Sequence, residues 1–193
     1  MELKEYITIF KKHFKLFLLM IFLVTAAIIV FQIVRPLTYK TSLALNITRD
    51  GSQKTDDYKY DDFYRLQADE RFADTVVRWM ALPAITESIY SEAGVSEGEK
   101  FKAKRLSSQL IEITYITSDV KTAQKLSDSI IKVLNRETEK LNEFQKNEAW
   151  FKILGGQPII TDNKPNLWKS APVGLLIGVF LGFWTVIIKH YLE

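Results

Sequence analysis

Two uncharged apolar stretches, one near each end, constrain this chain more than any other feature. The first runs from Leu16 to Val34 and the second from Ala171 to Ile188. At 1.5 Å per residue, a helix of 18 residues reaches about 27 Å, close to the roughly 30 Å of a bilayer's hydrocarbon core. The sequence therefore predicts two transmembrane helices, with the residues between them folded as an inserted domain.

A cleaved signal peptide is the competing interpretation of the first stretch. Its 19 apolar residues exceed the roughly 7–15 that are usual for such a peptide. The apolar run also continues past the small-residue cluster at Thr25–Ala27, where cleavage would be expected. We therefore expect an uncleaved membrane anchor.

Basic residues at the outer ends of the two stretches predict the orientation. They precede the first stretch and follow the second: Lys4, Lys11, Lys12, Lys15, Lys189 and His190. Positive residues close to a span stay on the cytoplasmic side. We expect a cytoplasmic amphipathic lead-in at 1–15, an extracytoplasmic domain at 35–170 and a short cytoplasmic tail at 189–193, which together describe a two-span protein of the cell membrane.

The charge balance argues against nucleic acid as a partner. Residues 36–170 hold 20 basic and 20 acidic residues, so the net charge of +3 comes from the six basic and three acidic residues outside this range. The pI of about 8.9 thus reflects the membrane-flanking lysines, because a nucleic-acid-binding domain would carry the excess itself.

The residue inventory predicts no enzyme, cofactor or metal site. Cysteine is absent, and both histidines lie at the edges of the apolar stretches. A glycan hydrolase or lyase is the enzymatic alternative, because acidic pairs occur at Asp56/Asp57, Asp61/Asp62 and Asp69/Glu70. Glycosidase acids face each other across a cleft, whereas these pairs are adjacent in sequence, so we expect them to be solvated.

In the first half of the domain, a segment of alternating apolar and polar residues precedes two segments with helical spacing. Period-two alternation from Tyr39 to Thr48 predicts a strand, and Asp50–Asp62 predicts a polar loop. A helical apolar stripe follows at Phe63, Leu66, Ala73, Val76, Val77 and Met80. Pro83 is placed to begin a second helix and Gly94 to end it. The mixed-charge run Glu97–Arg105 predicts a solvated connection, and contact with an anionic polymer is the alternative.

The second half predicts a strand–helix–strand unit. Leu110–Thr117 is strand-like, Ser118 or Asp119 can cap the next helix, and helical spacing continues toward Ala149. Phe151–Leu154 then predicts a last strand, after which Gly155 starts a strap back to the membrane. The predicted fold is an α/β (α+β) domain with a small mixed sheet and packed helices, whose first and last strands both lead into transmembrane helices.

The second apolar stretch carries small residues at helical spacing. Gly174, Gly178 and Gly182 recur every fourth residue, so a helix lines them up on one face. Such a face lets another helix approach closely; we predict a seat for the first span or for a neighbouring subunit, with a plain lipid anchor as the alternative. The predicted membrane-entry strap contains Pro158, Pro165, Asn166 and Pro172.

The order of these parts resembles a known family. The carrying segments are ELKEYITIFKKHFKLF, YKTSLALNI, LQADERFADTVVRWMALPAITESIYSEAG, IEITYITSDVKTAQKLSDSIIKVL and KPN before the glycine-spaced span. They are similar to the chain-length determinant (Wzz-type) proteins, or polysaccharide co-polymerases, and to the related membrane adaptors of capsule synthesis.

The resemblance implies a non-enzymatic role in surface polysaccharide biosynthesis: O-antigen of lipopolysaccharide, capsule or exopolysaccharide. It implies a homo-oligomer that works with the polymerase or export machinery. Two departures are visible: the prolines are spread out, and the tall coiled-coil extension of larger members has no room. A cytoplasmic tyrosine kinase is a further implied partner, although the tail at 189–193 offers it little. A two-span sensor acting through such a kinase is the alternative function.

Overall fold

The computed structural model describes residues 10–49, 61–96, 100–145, 150–164 and 166–192. The chain divides into two compact units. The first joins residues 1–36 to residues 164–193, and the second comprises residues 37–163.

Helices and strands are interspersed along the described parts of the chain. In order they are α1 (Phe14–Val34), β1 (Tyr39–Thr48), α2 (Asp61–Trp79), α3 (Pro83–Ala93), β2 (Lys102–Arg105), β3 (Leu110–Thr117), α4 (Val120–Phe144), β4 (Lys152–Gly155), β5 (Ile159–Asp162) and α5 (Leu167–Leu192). Helices α1 and α5 make up the described part of the first unit, where residues 10–12 form a further helical turn ahead of α1. The remaining elements fold as an α+β domain.

The domain contains one sheet with strand order β2-β3-β1-β4, and β5 also pairs with β1. Every pair of neighbouring strands is antiparallel, so the prediction of a mixed sheet is wrong. The reason lies in β1, which runs between β3 and β4 and separates the two strands of the strand–helix–strand unit. Both are antiparallel to β1 and hence parallel to each other, which makes the unit a split βαβ.

Strands β4 and β5 form one edge of the sheet with a bulge between them. Leu45 pairs with Gly155 and Ser42 with Ile159. Three edge residues, 156–158, therefore face two on β1, which is the count of a β-bulge. Pro158 lies in this bulge, where a ladder hydrogen bond is not required of it. The expected strap from Gly155 onward is wrong here, because the chain pairs again with β1 as far as Asp162.

The first and last strands of the domain are neighbours. Tyr39 pairs with Asp162, and the Asn163 N–H donates to the Thr38 carbonyl at 2.8 Å. The Asn163 side-chain amide also donates to Thr38 Oγ1 at 3.0 Å. The chain thus enters and leaves the domain at adjacent points.

The core lies on one face of the sheet, beneath α2, α3 and α4. Alternate residues of β1 and β3 are buried there, as the alternation predicts: Leu43, Leu45, Ile47, Ile111, Ile113 and Tyr115. The stripe predicted on α2 is wrong at its start, because Phe63 is 63% exposed and Leu66 is also exposed. Phe72 is buried instead and stacks on Phe151, with ring centroids 4.0 Å apart.

Local signals in the sequence place the helix ends correctly. Pro83 begins α3, and Gly94 ends it with a left-handed φ of 65°. Asp119 caps α4, where its carboxylate accepts from the Thr122 N–H at 2.8 Å. This hydrogen bond lowers the pKa of Asp119, because it favours the charged carboxylate.

Three element boundaries differ from the prediction. Helix α2 begins at Asp61, inside the expected loop, whose remaining residues 50–60 lie outside the described range. Helix α4 ends at Phe144, ahead of Ala149. Lys102–Arg105 is a strand and not a solvated connection; its alternating lysines are typical of an edge strand that is protected against further pairing.

Candidate functional site

The three glycines of α5 lie against α1. A Cβ added at Gly178 would be 3.0 Å from the Ile21 Cα and 3.1 Å from its carbonyl oxygen. One at Gly174 would be 3.3 Å from the Thr25 Cα. These neighbours are backbone atoms, so only glycine permits the two helices to approach this closely.

An aromatic cluster closes the helix pair next to Gly182. The Phe10 ring packs on Phe17 and Phe183, with centroids 5.4 Å and 5.3 Å away. A Cβ at Gly182 would be 3.0 Å from a carbon of the Phe17 ring. His13 is buried here as well. Gly182 therefore makes room for the Phe17 ring and for its carbonyl oxygen, which would be 3.3 Å from the added Cβ, whereas Gly174 and Gly178 make room mainly for the α1 backbone.

The outer surface of the helix pair is apolar. Phe22 is 71% exposed and Leu176 is 69% exposed. Both helices are long and apolar enough to cross a membrane, with mean hydropathies of 2.9 and 2.2. In a soluble protein such side chains would be buried against other elements, whereas here mainly the glycine face of α5 is buried, against α1. Two helices of this kind fit a membrane protein.

The residues of the predicted strap lie in different settings. Pro158 is in the bulge between β4 and β5, and Asn166 stands directly before α5, where its carbonyl accepts from the Lys169 and Ser170 N–H groups. Pro172 lies inside α5 as its sixth residue, past the first turn, so it removes one N–H hydrogen bond from the helix. Pro165 lies outside the described residues.

Asp69 belongs to a buried ion-pair network. Its carboxylate accepts from Arg49 Nε and from Gln109 Nε2, both at 2.8 Å. The Arg49 guanidinium also lies over the Phe151 ring, 4.6 Å from its centroid, and over the Trp150 ring at 5.3 Å. The network joins the end of β1 to α2, to the β2–β3 turn and to the start of β4. Its partners are far apart in sequence, so no local pattern indicated it.

The other candidate carboxylates have separate environments. Glu70 pairs with Arg105 at 2.7 Å, and Arg105 also pairs with Asp74 at 2.8 Å, all on a partly exposed surface. Asp56 and Asp57 lie outside the described residues, as do the side chains of Asp61 and Asp62. The adjacent pair Asp69/Glu70 therefore binds two different arginines and does not face a shared cleft.

The second face of the sheet, which we call the open face, bears no fully buried side chain. It is formed by alternate residues of all five strands: Lys40, Ser42, Ala44, Asn46, Thr48, Lys102, Lys104, Leu110, Glu112, Thr114, Ile116, Lys152, Leu154, Ile159 and Thr161. Four are lysines and one is an acid.

Glu112 is held at the centre of the open face by two neighbours. Lys104 Nζ lies 2.8 Å from its carboxylate, and Ser42 Oγ donates to it at 2.7 Å. Both hydrogen bonds lower the pKa of Glu112, so this acid is charged and neutralises Lys104. Lys40 and Lys102 make no salt bridge among the residues that the structure describes.

No protein-family model matches the sequence, and no curated protein matches it. The resemblance to Wzz-type proteins therefore stays a prediction.

Proposed function

We propose that the chain is a non-enzymatic, two-span membrane protein of surface polysaccharide biosynthesis. It biases the length or export of the polymer by oligomerising with the polymerase machinery. The observation that carries the proposal is the pairing of β1 with β5, which brings the two ends of the domain together. A domain with adjacent ends, inserted between two apolar helices, has the order of parts that the family resemblance implies.

The apolar exterior of the helix pair supports the membrane assignment. Large contiguous apolar surfaces on a folded protein mark membrane or protein contacts. With the lysines before α1 and after α5 on the cytoplasmic side, both termini are cytoplasmic and the α+β domain is periplasmic or extracellular.

The ion pairs of Asp69 and Glu70 support a role without catalysis. A glycosidase acid faces its partner carboxyl group across a sugar cleft. Asp69 instead neutralises Arg49 and Glu70 neutralises Arg105. A domain of this kind acts by association, so its partners are other copies of the chain and the polymerase or export machinery, with a cytoplasmic tyrosine kinase as a further candidate.

Deletion of the gene tests the proposal. The surface polysaccharide of the deletion strain should change in its length distribution or its yield, and the wild-type gene should restore it. Gly178→Leu should restore it poorly, because it forces α5 away from α1. Val173→Leu adds bulk to the exposed side of α5 and should restore it fully. An unchanged polymer in the deletion strain, together with co-purification of a kinase alone, would favour the sensor function instead.

A further inference from the structure

We propose that the open face binds an acidic polysaccharide chain. This inference rests on the proposed function, because it assigns a chemical class to the polymer that the protein handles. It starts from the arrangement of charge. Lys40, Lys102, Lys104 and Lys152 share the open face with a single carboxylate, although the chain between the two spans is formally neutral. Among the strand residues that form this face, Glu112 is the one acid.

The lysines are spaced so that one extended chain can contact several of them. Lys102 and Lys104 are two residues apart on β2, which places their Cα atoms about 7 Å apart. Lys102 is opposite Thr114 and Lys40 is opposite Ile116. Lys40 therefore lies two strands away from Lys102 and two residues farther along the strand direction, so their Cα atoms are roughly 12 Å apart. Successive acidic sugars of one chain can reach two or three of these ammonium groups.

Hydroxyl and amide groups fill the space between the lysines. Thr114 Oγ1 donates to the Lys102 carbonyl at 3.4 Å and Thr161 Oγ1 donates to the Lys40 carbonyl at 3.3 Å, which leaves their oxygen lone pairs as acceptors. Asn46 is exposed farther along β1, where it pairs with Leu110 and Leu154. Sugars carry dense hydroxyl groups, and this surface offers them both donors and acceptors.

The distribution of apolar groups favours a polysaccharide over a protein. Protein interfaces have an apolar centre and a polar rim. Here the centre holds Ser42, Glu112 and Thr114, whereas the larger apolar side chains lie at the strand ends and on the outer strand. These are Leu110, Ile116, Leu154 and Ile159. This arrangement, with a polar centre and an apolar rim, is the reverse of a protein-binding surface.

The test uses the full-length protein in nanodiscs of neutral phosphatidylcholine, with oligogalacturonate as the acidic probe and dextran as the neutral one. Oligogalacturonate should bind, dextran should not, and salt should weaken binding by screening. Replacing both lysines, Lys40→Gln with Lys102→Gln, should lower the affinity roughly threefold to tenfold, since each exposed ion pair contributes little. Glu112→Gln should raise it.

Lys121→Gln with Lys125→Gln is the matched control, because it removes the same charge from an exposed part of α4. An equal loss in this variant would overturn the proposal, since the binding would then be a property of net charge. Absence of oligogalacturonate binding, or equal binding of dextran, would overturn it too. The proposal would also be overturned if the open-face variants weakened binding to acidic phospholipid vesicles but left binding to oligogalacturonate unchanged. An unchanged polymer in the deletion strain would refute the proposed function while leaving a measured affinity for oligogalacturonate in place.

Discussion

Enlarging Gly178 by one methyl group should separate the two apolar helices. Carbon atoms in contact prefer a distance of about 3.5–4.0 Å, and the added Cβ would be 3.0 Å from the Ile21 Cα. The helices must therefore move apart by about 0.5–1 Å at this point. A gap of that size forfeits roughly a quarter to a half of the dispersion energy of each neighbouring contact.

We expect Gly178→Ala to destabilise the helix pair by about 1–3 kcal/mol, the usual cost of overpacking. A membrane helix stays helical when its partner leaves, so the better helix propensity of alanine acts on both states and does not offset this cost. Gly178→Leu should exceed the alanine effect. Gly174→Ala should cost less, because its nearest neighbour would be 3.3 Å away. Gly182→Ala should also cost less than Gly178→Ala, because its nearest neighbours would be side-chain carbons of Phe17 and its nearest backbone atom, the Phe17 carbonyl oxygen, would be 3.3 Å away.

The assay uses the absence of cysteine from the chain. Spin labels on single cysteines introduced at Leu23 and Leu176, both exposed, report the distance between the helices. Titration with sodium dodecyl sulfate then gives the free energy of separation for each variant. Val173→Leu is the control for added bulk. If Gly178→Leu and Val173→Leu separate at the same detergent fraction, the close-packing argument is wrong.

Three further predictions concern the α+β domain. Asp69→Ala should lower the free energy of unfolding by about 3–5 kcal/mol, because it leaves Arg49 buried without its ion-pair partner. Gly155→Ala should cost about 1–3 kcal/mol, because the new Cβ collides with Ile131 Cδ1, and Ile131→Ala should relieve most of that cost in the double variant. Asp119→Asn should keep the helix cap but remove part of the acid sensitivity, seen as a flatter Tm from about pH 6 to about pH 3.

The sign of the pH effect follows from the lowered pKa of Asp119. A carboxylate with a lowered pKa stabilises the fold above its ordinary value of 3.8, and this contribution is lost as the pH falls through the folded pKa below it. A wild-type Tm that falls no more steeply than that of Asp119→Asn would contradict the prediction. Glu70→Ala is the control for Asp69→Ala and should cost less than about 1 kcal/mol, because its ion pair is partly exposed.

The parts of the fold that depend on local signals could be predicted from the sequence. Strand β3 was predicted at Leu110–Thr117, where it lies, because alternation with one buried face specifies both the strand and its sides. Pro83, Gly94 and Asp119 marked helix ends because each has a steric or hydrogen-bonding preference of its own.

The edge strands could not be predicted in this way. Lys102–Arg105 is short and charged and becomes a strand only because β3 offers it a partner. Ile159–Asp162 follows Pro158, which ordinarily interrupts a strand, and the bulge allows pairing to resume. The order β3-β1-β4 also depends on long-range pairing, which the sequence does not show. The predicted strand–helix–strand unit would place β4 directly beside β3 and parallel to it, but β1 lies between them.

The candidate site also has one part that the sequence indicates and other parts that depend on long-range contacts. The glycine spacing of α5 was visible in the sequence because helical periodicity is local, whereas the helix that faces it had two candidates. The Arg49–Asp69–Gln109 network gave no sequence signal, since its members come from separate segments of the chain. Of the open face, the sequence indicated only the basic run that contains Lys102 and Lys104, for which contact with an anionic polymer was the alternative.

We propose that this protein biases polymer length by association with the polymerase machinery. The most direct measurement is the modal length of the surface polysaccharide in cells where this protein is titrated by induction and the polymerase level is held constant. We expect the modal length or yield to shift with the ratio of this protein to polymerase, and Gly178→Leu to flatten the response. A length distribution and yield that stay constant across the titration would contradict it.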